Sequence, residues 1–147
     1  MSVESVPLIY RRGLVEYEAF KTLSESRDYL AANFNRVITL EEAAQTAYLS
    51  PFHYQRQFKR AFRESPHEFL SRLRIERAKD LLARSDMSVT EVCFEVGYES
   101  LGSFSAMFAR LTGSSPSEFR RVYSIPAKWW LRKIPGCMAS RWGLSNK

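Results

Sequence analysis

One segment of this 147-residue chain occurs twice, and this repeat restricts the possible folds more than any other feature. Residues 38–69 align with residues 88–119 at a constant offset of 50 and without a gap. Chance would produce only about two identities over such a length. A period of this size indicates one supersecondary unit used twice. The identical pairs are Glu41/Glu91, Tyr48/Tyr98, Ser50/Ser100, Phe58/Phe108, Arg60/Arg110, Ser65/Ser115, Pro66/Pro116, Glu68/Glu118 and Phe69/Phe119.

Helical periodicity predicts seven helices and no strand, so the predicted fold class is all-α. Ser24 is the predicted cap of the first helix, and Gly97 and Gly113 are predicted to end the fifth and sixth. Capping-box patterns open four helices, at Thr39/Glu42, Ser65/Glu68, Ser88/Glu91 and Ser115/Glu118. The predicted spans are 25–34, 39–47, 50–63, 66–84, 89–96, 101–112 and 116–123.

Each copy of the repeat consists of a short helix, a tight turn and a second helix, which is the helix-turn-helix arrangement. The fourth helix lies between the copies and would be about 28 Å long at about 1.5 Å per residue. We therefore predict two tandem helix-turn-helix subdomains joined by a long linker helix. The expected organisation is an N-terminal extension (1–23), a first unit with the linker helix (24–84), a second unit (85–123) and a basic aromatic tail (124–147).

The third helix has two chemically different faces. At about 100° per residue, four residues fall on an apolar face suited to a core. The opposite face is rich in cations, and the segment 50–63 contains no acid. The cation-rich face is suited to an anionic groove. The apolar residues are Tyr54, Phe58, Ala61 and Phe62, and the outward residues are Phe52, Gln55, Arg56, Lys59, Arg60 and Arg63.

The distribution of charge adds to this interpretation. The formal net charge is +6, and the last 24 residues carry five cations and no acid. Residues 24–123 carry 14 positive and 13 negative charges, so the body of the chain is basic only locally. Basic patches suit polyanionic partners such as nucleic acid, although a solvated surface would look the same by charge alone.

Several classes of function are disfavoured by the composition. Cys93 and Cys137 are too few for a disulfide framework, and no apolar run is long enough for a membrane span. His53 and His67 have no recognisable metal-ligand spacing, and no phosphate loop or nucleophile motif is present. We expect no catalytic residue, no metal and no cofactor, and we expect a cytoplasmic protein.

The two repeats together resemble the AraC/XylS family of bacterial transcription regulators. The first reads ITLEEAAQTAYLSPFHYQRQFKRAFRESPHEFLSRLRIERAKDLL, and the second reads SVTEVCFEVGYESLGSFSAMFARLTGSSPSEFRR. The second contains a glycine–aromatic pair before a Ser-rich helix, then Phe-x-Arg and Gly-x-Ser-Pro-x-x-aromatic-Arg. The resemblance covers about residues 24–123 and implies sequence-specific binding of double-stranded DNA in the major groove.

The resemblance implies that helices 50–62 and 100–112 read the DNA. In the first, Arg56 could pair with guanine, Gln55 with adenine, and Phe52 could touch a thymine methyl. Lys59 and Arg60 would hold phosphates or remain solvated. In the second, Ser100 and Ser103 suit phosphates at a helix N-terminus. The full set of expected contacts is Ser50, Phe52, Gln55, Arg56, Lys59, Arg60, Ser100, Leu101, Gly102, Ser103, Ser105 and Ala106.

The second unit departs from many members of the family. Ala106 occupies a position often held by Arg, and Gly102 has no side chain with which to read a base. We therefore expect the first unit to carry most of the specificity. The alternative function is an interaction module that pairs with other regulators or RNA polymerase and binds DNA only weakly.

The two ends lie outside the resemblance. Residues 1–23 are too few for a sensing domain, so we expect no small-molecule effector to bind within this chain, and RNA polymerase is a possible partner. The tail carries Trp129, Trp130 and Trp142 among its cations. These side chains could pack on the helical body, which we favour, or contact DNA, an acidic partner or a membrane surface.

Overall fold

The structure, a computed structural model, describes residues 8–124, with side chains described from residue 16 onward. This range forms seven helices and no strand, which confirms the all-α prediction. The prediction that the Trp side chains of the C-terminal tail pack on the helical body concerns residues outside this described range. The helices are α1 (Leu8–Ala32), α2 (Leu40–Thr46), α3 (Pro51–Phe62), α4 (Pro66–Arg84), α5 (Val89–Glu95), α6 (Leu101–Thr112) and α7 (Pro116–Tyr123).

The first helix was predicted wrongly at both ends. It begins at Leu8 and ends at Ala32, so Ser24 lies in its interior and does not cap it. No proline interrupts residues 8–32, and an interior serine costs a helix less than about 1 kcal/mol. The tertiary contacts of Leu23 and Leu30, which are both buried, outweigh that local preference.

The helices surround two separate hydrophobic cores, and α4 contributes to both of them. The first core takes Phe69 and Leu70 from the start of α4, and the second takes Ile75, Ala78 and Leu82 from the rest. α4 therefore belongs structurally to both helix-turn-helix units. The remaining buried members are Leu23, Leu30, Ala43, Ala44, Ala47, Tyr54 and Phe58 in the first core, and Val92, Cys93, Val96, Phe104 and Phe108 in the second.

Three of the four predicted capping boxes are present, at the starts of α4, α5 and α7. The fourth is only half formed. Thr39 Oγ1 accepts a hydrogen bond from the Glu42 backbone N–H at 3.1 Å, but the Glu42 carboxylate binds Arg36 and Tyr29 instead of the cap backbone. A guanidinium within reach offers that carboxylate a full positive charge as well as donors, whereas the backbone N–H of a capping box is an uncharged donor.

The repeat is not gapless in three dimensions. The caps Thr39 of α2 and Ser88 of α5 are 49 residues apart, whereas the caps Ser50 of α3 and Ser100 of α6 are 50 apart. The second unit thus has one extra residue in its turn. The buried residues of α2 and α5 obey the offset of 49, as Ala43, Ala44 and Ala47 match Val92, Cys93 and Val96.

The shifted offset changes the meaning of two of the sequence identities. Tyr48 has a left-handed φ of 55°, and its structural counterpart is Gly97, with a φ of 89°, not Tyr98. Glu42, not Glu41, is likewise the counterpart of Glu91. The gapless alignment was therefore wrong across the first helix of each unit and correct from the second helix onward.

Candidate nucleic-acid interface

α3 is held rigidly by its own start and by its buried face. Ser50 Oγ accepts a hydrogen bond from the His53 backbone N–H at 3.4 Å, and Pro51 occupies the first turn. Tyr54 and Phe58 are fully buried in the first core. The Tyr54 hydroxyl lies 2.8 Å from Ser26 Oγ of α1, so a buried hydrogen bond fastens α3 to the first helix.

The opposite side of α3 is an exposed, cation-rich surface that we term the α3 surface. Six side chains line one open concavity of about 560 Å³ along this side. The prediction from helical periodicity of which α3 side chains point outward is thus confirmed. The α3 surface consists of Phe52, Gln55, Arg56, Lys59, Arg60 and Arg63.

Two members of this surface support each other. The Arg56 guanidinium carbon lies 5.6 Å from the centroid of the Phe52 ring, which is a cation–π distance. Phe52 is nevertheless 72% exposed, which is unusual for so large an apolar side chain. The contact holds an apolar face and a bidentate donor side by side at the start of α3. This pair could meet the methyl edge of one base and the acceptor edge of another.

Arg63 was absent from the predicted contact residues, although the periodicity had placed it on the outward face. It caps α3 in a left-handed conformation with a φ of 65° and lines the same concavity as the other five side chains. The signal that could have included it is its position seven residues after Arg56, two turns further along one helical stripe.

Two acids that follow α3 in the chain are hydrogen-bonded outside the α3 surface. Glu64 accepts two hydrogen bonds from Arg72 of α4, at 2.7 and 3.2 Å. Glu68 accepts the Ser65 backbone N–H at 2.7 Å, and this bond lowers the pKa of its carboxyl, with smaller contributions from Lys59 and Arg110. Glu64 therefore pairs with a cation outside the α3 surface, and the side chains that line this surface include no acid.

α6 has the same framework as α3 but a different outer surface. Phe104 and Phe108 are fully buried, and Ser100 Oγ accepts the Ser103 backbone N–H at 3.3 Å while donating to Ser103 Oγ at 3.0 Å. Leu101 is 42% exposed. The other predicted contacts of this helix have short side chains, with Gly102, Ser103 and Ala106 exposed and Ser105 half-buried.

The structure does not bring the two predicted sets of contact residues into one pocket. Ser100 and Ser103 open onto a separate cleft of about 370 Å³, which α4 and the α1–α2 loop also line. A methyl group added at Gly102 would meet no atom within 4 Å, so the outer side of α6 has room for larger side chains that this chain lacks. The start of α6 therefore presents hydroxyls and backbone, and its exposed cation, Arg110, lies in the last turn.

Two kinds of feature are absent from the described part of the chain. Residues 8–124 contain no group of three or more His, Cys, Asp or Glu side chains placed to hold a metal ion. In the same range no helix combines the length and apolarity needed to traverse a bilayer.

Comparison with known proteins places this arrangement in a family. A family model described as a helix-turn-helix domain matches residues 43–122, which is more than half of the chain. A probable AraC family transcriptional regulator from Rhodopseudomonas palustris has the same fold, with a TM-score of 0.65 and 26% identity over 71% of this chain and 99% of that one. This chain belongs to the AraC family.

Two further matches of this AraC-family chain are informative. The HTH-type transcriptional regulator YijO of Escherichia coli K12 is 35% identical over 97 residues, which are 66% of this chain and 34% of YijO. The DNA-binding domain of AdpA, solved in complex with a target DNA, matches with a TM-score of 0.66 and 30% identity over 69% of this chain and 92% of that domain. The AraC-type chain described here spans about a third to a half of the length of the curated relatives it matches.

Proposed function

We propose that this chain is a sequence-specific, double-stranded DNA-binding transcription regulator that inserts α3 and α6 into successive major grooves. The observation that carries the proposal is the α3 surface, where a Phe–Gln–Arg set and three further cations project from one rigid helix without an acid among them. The similarity to a DNA-binding domain solved on its target DNA supports it. Such a regulator acts in the cytoplasm and needs no catalytic step.

The residues of the α3 surface divide into two roles under this proposal. The Gln55 amide can both donate to and accept from adenine, and the Arg56 guanidinium can donate two hydrogen bonds to guanine. Phe52 suits a thymine methyl. Lys59, Arg60 and Arg63 lie further along the helix, where cations neutralise phosphates and set orientation without reading sequence. Ser50 lies at the helix start, where exposed N–H groups also favour a phosphate.

The contribution of α6 differs in kind. Ser100 and Ser103, with the N-terminal N–H groups of α6, suit a phosphate. Leu101, Gly102 and Ala106 offer only van der Waals contact to a base edge, and Ser105 adds one short hydroxyl. The second unit would then position the protein and add affinity. A chain that spans two turns of DNA would favour half-sites about 10 bp apart, because one helical turn separates equivalent grooves.

The proposal is tested by selecting bound DNA from a random duplex library and then titrating the selected duplex at several salt concentrations. We expect one enriched bipartite sequence and a steep negative dependence of log affinity on log salt concentration. Lys59→Ala should make that slope shallower by roughly one unit. Arg77→Ala, which removes an exposed cation from α4, is the matched control and should leave the slope unchanged.

The alternative function as an interaction module predicts a different result. The short side chains at the start of α6 favour this alternative, which predicts weak binding and no enriched sequence in the same selection. The regulator proposal would be refuted if no sequence were enriched and if the salt slope of the wild type were as shallow as that of Lys59→Ala.

A further inference from the structure

The two helix-turn-helix units contact each other away from the axis of α4, at a junction that we term the Arg74 junction. It comprises the α1–α2 loop residues 34–36, Arg74 in the middle of α4, and Gly97 with Tyr98 in the α5–α6 turn. Arg74 Nε donates to the Phe34 carbonyl at 2.7 Å, and Arg74 Nη2 donates to the Arg36 carbonyl at 2.9 Å. One half-buried guanidinium thus binds two backbone acceptors of the first unit.

The second unit approaches the same loop through glycine. A Cβ added at Gly97 would lie 2.7 Å from the Asn35 carbonyl carbon and 2.9 Å from the Phe34 carbonyl oxygen. Those atoms are backbone and have no rotamer with which to move aside. The backbone of the α5–α6 turn therefore packs directly on the backbone of the α1–α2 loop. The contact is made by Gly97, which also has a left-handed φ of 89°.

Arg74 contacts the second unit as well as the first. Its guanidinium carbon lies 5.4 Å from the centroid of the Tyr98 ring. Tyr98 in turn packs against Phe104, with ring centroids 5.4 Å apart, and Phe104 is the buried residue that anchors α6. A continuous series of contacts therefore leads from the α1–α2 loop through Arg74 to α6.

The position of Arg74 on α4 explains why it can bridge the units. At about 100° per residue, the contacts of α4 with the first core span roughly 0–100° and those with the second core roughly 120–240° around the helix. Arg74 falls at about 140°, close to the border between the two stripes. The helix alone sets how far apart the units are along its axis. A contact with both units near this border restricts their rotation about it. The residues that define the stripes are Phe69, Leu70 and Leu73, then Ile75, Ala78, Leu81 and Leu82.

We infer that Arg74 is a positioning residue that fixes the relative orientation of α3 and α6, and thereby the half-site spacing that the chain accepts. The spacing part of this inference rests on the proposed function, whereas the orientation part does not. Arg74 touches no DNA in this scheme. It acts by holding the loop of one unit and the turn of the other in a single arrangement.

The orientation is tested first, without DNA, by pulsed electron paramagnetic resonance on the full chain. Spin labels are placed at Gln45→Cys and Glu95→Cys, which are exposed on α2 and α5, in a Cys137→Ser background. Cys93 is fully buried and is left in place. We expect one narrow distance distribution with Arg74 and a broader, shifted distribution with Arg74→Met. Arg77→Met, which removes a cation from an exposed position of the same helix, should leave the distribution narrow.

The second measurement repeats the random-duplex selection with Arg74→Met. The wild type should enrich two half-sites at one spacing, and the variant should enrich the same half-site sequences at two or more spacings. Its affinity for the wild-type duplex should fall on the order of tenfold, because a loosened link lowers the effective concentration of the second unit. If Arg74→Met does not fold, Arg74→Lys replaces it, since an ammonium keeps the charge but loses the fork that reaches both carbonyls.

The outcomes separate the two proposals. Unchanged label distances in Arg74→Met overturn the positioning role, whatever the DNA result. Changed distances with an unchanged single spacing overturn the link to specificity. If the wild type enriches no sequence while its label distances behave as expected, the proposed function fails and the orientation role of Arg74 stands.

Discussion

The two helix-turn-helix units share a framework and differ in the surfaces that they present. Each has a serine cap before its second helix, two buried aromatic rings within that helix, and a Ser-Pro-x-Glu start to the helix that follows. Phe58 packs on Phe69 with ring centroids 5.9 Å apart, and Phe108 packs on Phe119 at 5.4 Å. The outward side of α3 is long-chained and cationic, whereas that of α6 has mostly short or apolar side chains and a single exposed cation, Arg110.

The buried positions and the helix caps follow the repeated fold in both units. The residue type at the left-handed position of the turn depends instead on what packs against that turn. Tyr48 and Gly97 occupy equivalent left-handed positions, yet Tyr48 is 91% exposed and Gly97 contacts another loop backbone. A tyrosine is accommodated where space is open, at the cost of a strained φ. Only glycine fits where the second unit meets the first.

The largest expected difference between the units is at this turn. Gly97→Ala adds a methyl group that both clashes with the α1–α2 loop and disfavours the left-handed φ, so it should lower the free energy of unfolding by roughly 2–4 kcal/mol. Tyr48→Ala keeps a non-glycine residue at the equivalent φ and should change it by less than about 0.5 kcal/mol. Urea denaturation followed by circular dichroism measures both values. Equal losses would show that the two turns are under the same constraint.

The next difference concerns DNA affinity. Arg56→Ala removes the bidentate donor of the α3 surface and should cost about 1–3 kcal/mol of binding free energy and relax selectivity at one base position. Ser103→Ala in α6 should cost less and weaken binding evenly across sequences, because it would lose only a phosphate contact. Titrating both variants against duplexes with single base substitutions measures this. An equal loss of selectivity would refute the asymmetry between the units.

A smaller difference lies within the two cores. Tyr54→Phe makes the first core resemble the second, where Phe104 occupies the equivalent position. The change removes the hydrogen bond to the buried Ser26 hydroxyl, and it should cost about 1 kcal/mol of unfolding free energy. Ser26 keeps contacts with Thr46 and the Ala43 carbonyl, so the loss should not be larger. Ser26→Ala measured alone and together with Tyr54→Phe isolates the coupling between the two hydroxyls, and additive losses would mean that the bond contributes nothing.

The smallest difference concerns pH. Arg36 and then Tyr29 hydrogen-bond the Glu42 carboxylate and lower its pKa from 4.5 to about 2. A lowered pKa in the folded state adds stability that is complete above about pH 4.5 and is lost as the pH falls through about 2. Glu42→Gln should therefore be less stable than the wild type at neutral pH and equal to it near pH 2. Thermal unfolding of both proteins across this pH range measures the difference in their stability. A difference that does not change with pH would exclude the ion pair as its source.

Glu91, the counterpart of Glu42 in the second unit, is a suitable control. Its pKa is also lowered, but chiefly by the Ser88 backbone N–H of its capping box. Glu91→Gln retains an oxygen that can accept that hydrogen bond and breaks no ion pair. The difference in stability between wild type and Glu91→Gln should therefore change less with pH than the difference for Glu42→Gln.

Much of this fold was predictable because its helices carry explicit start signals. The bounds of α3, α4, α6 and α7 agree with the sequence to within a residue, since a serine cap precedes each start and Pro and Glu follow it in α4 and α7. α1 was not predictable to that accuracy. Ser24 has the side chain of a helix cap but lies in the helix interior, where the buried contacts of Leu23 and Leu30 outweigh the cap signal.

The site was only partly predictable, for reasons that particular residues show. The outward phase of Gln55 and Arg56 follows from 3.6-residue periodicity. The one-residue shift between the units did not follow, because chance identities at Glu91 and Tyr98 favoured the gapless alignment. The role of Arg74 gives no sequence signal at all, since its acceptors are backbone carbonyls 38 and 40 residues away.

The participation of α4 in both cores has a consequence for how this protein can be divided or recombined. A fragment that begins at residue 85 would lack Ile75, Ala78 and Leu82, three of the eight side chains buried around α5 and α6. Neither half is therefore expected to survive as an autonomous module. Chimeras that exchange recognition properties with a relative should graft the outer residues of α3 or α6 onto an intact scaffold. A junction within α4 would remove buried side chains from one of the two cores.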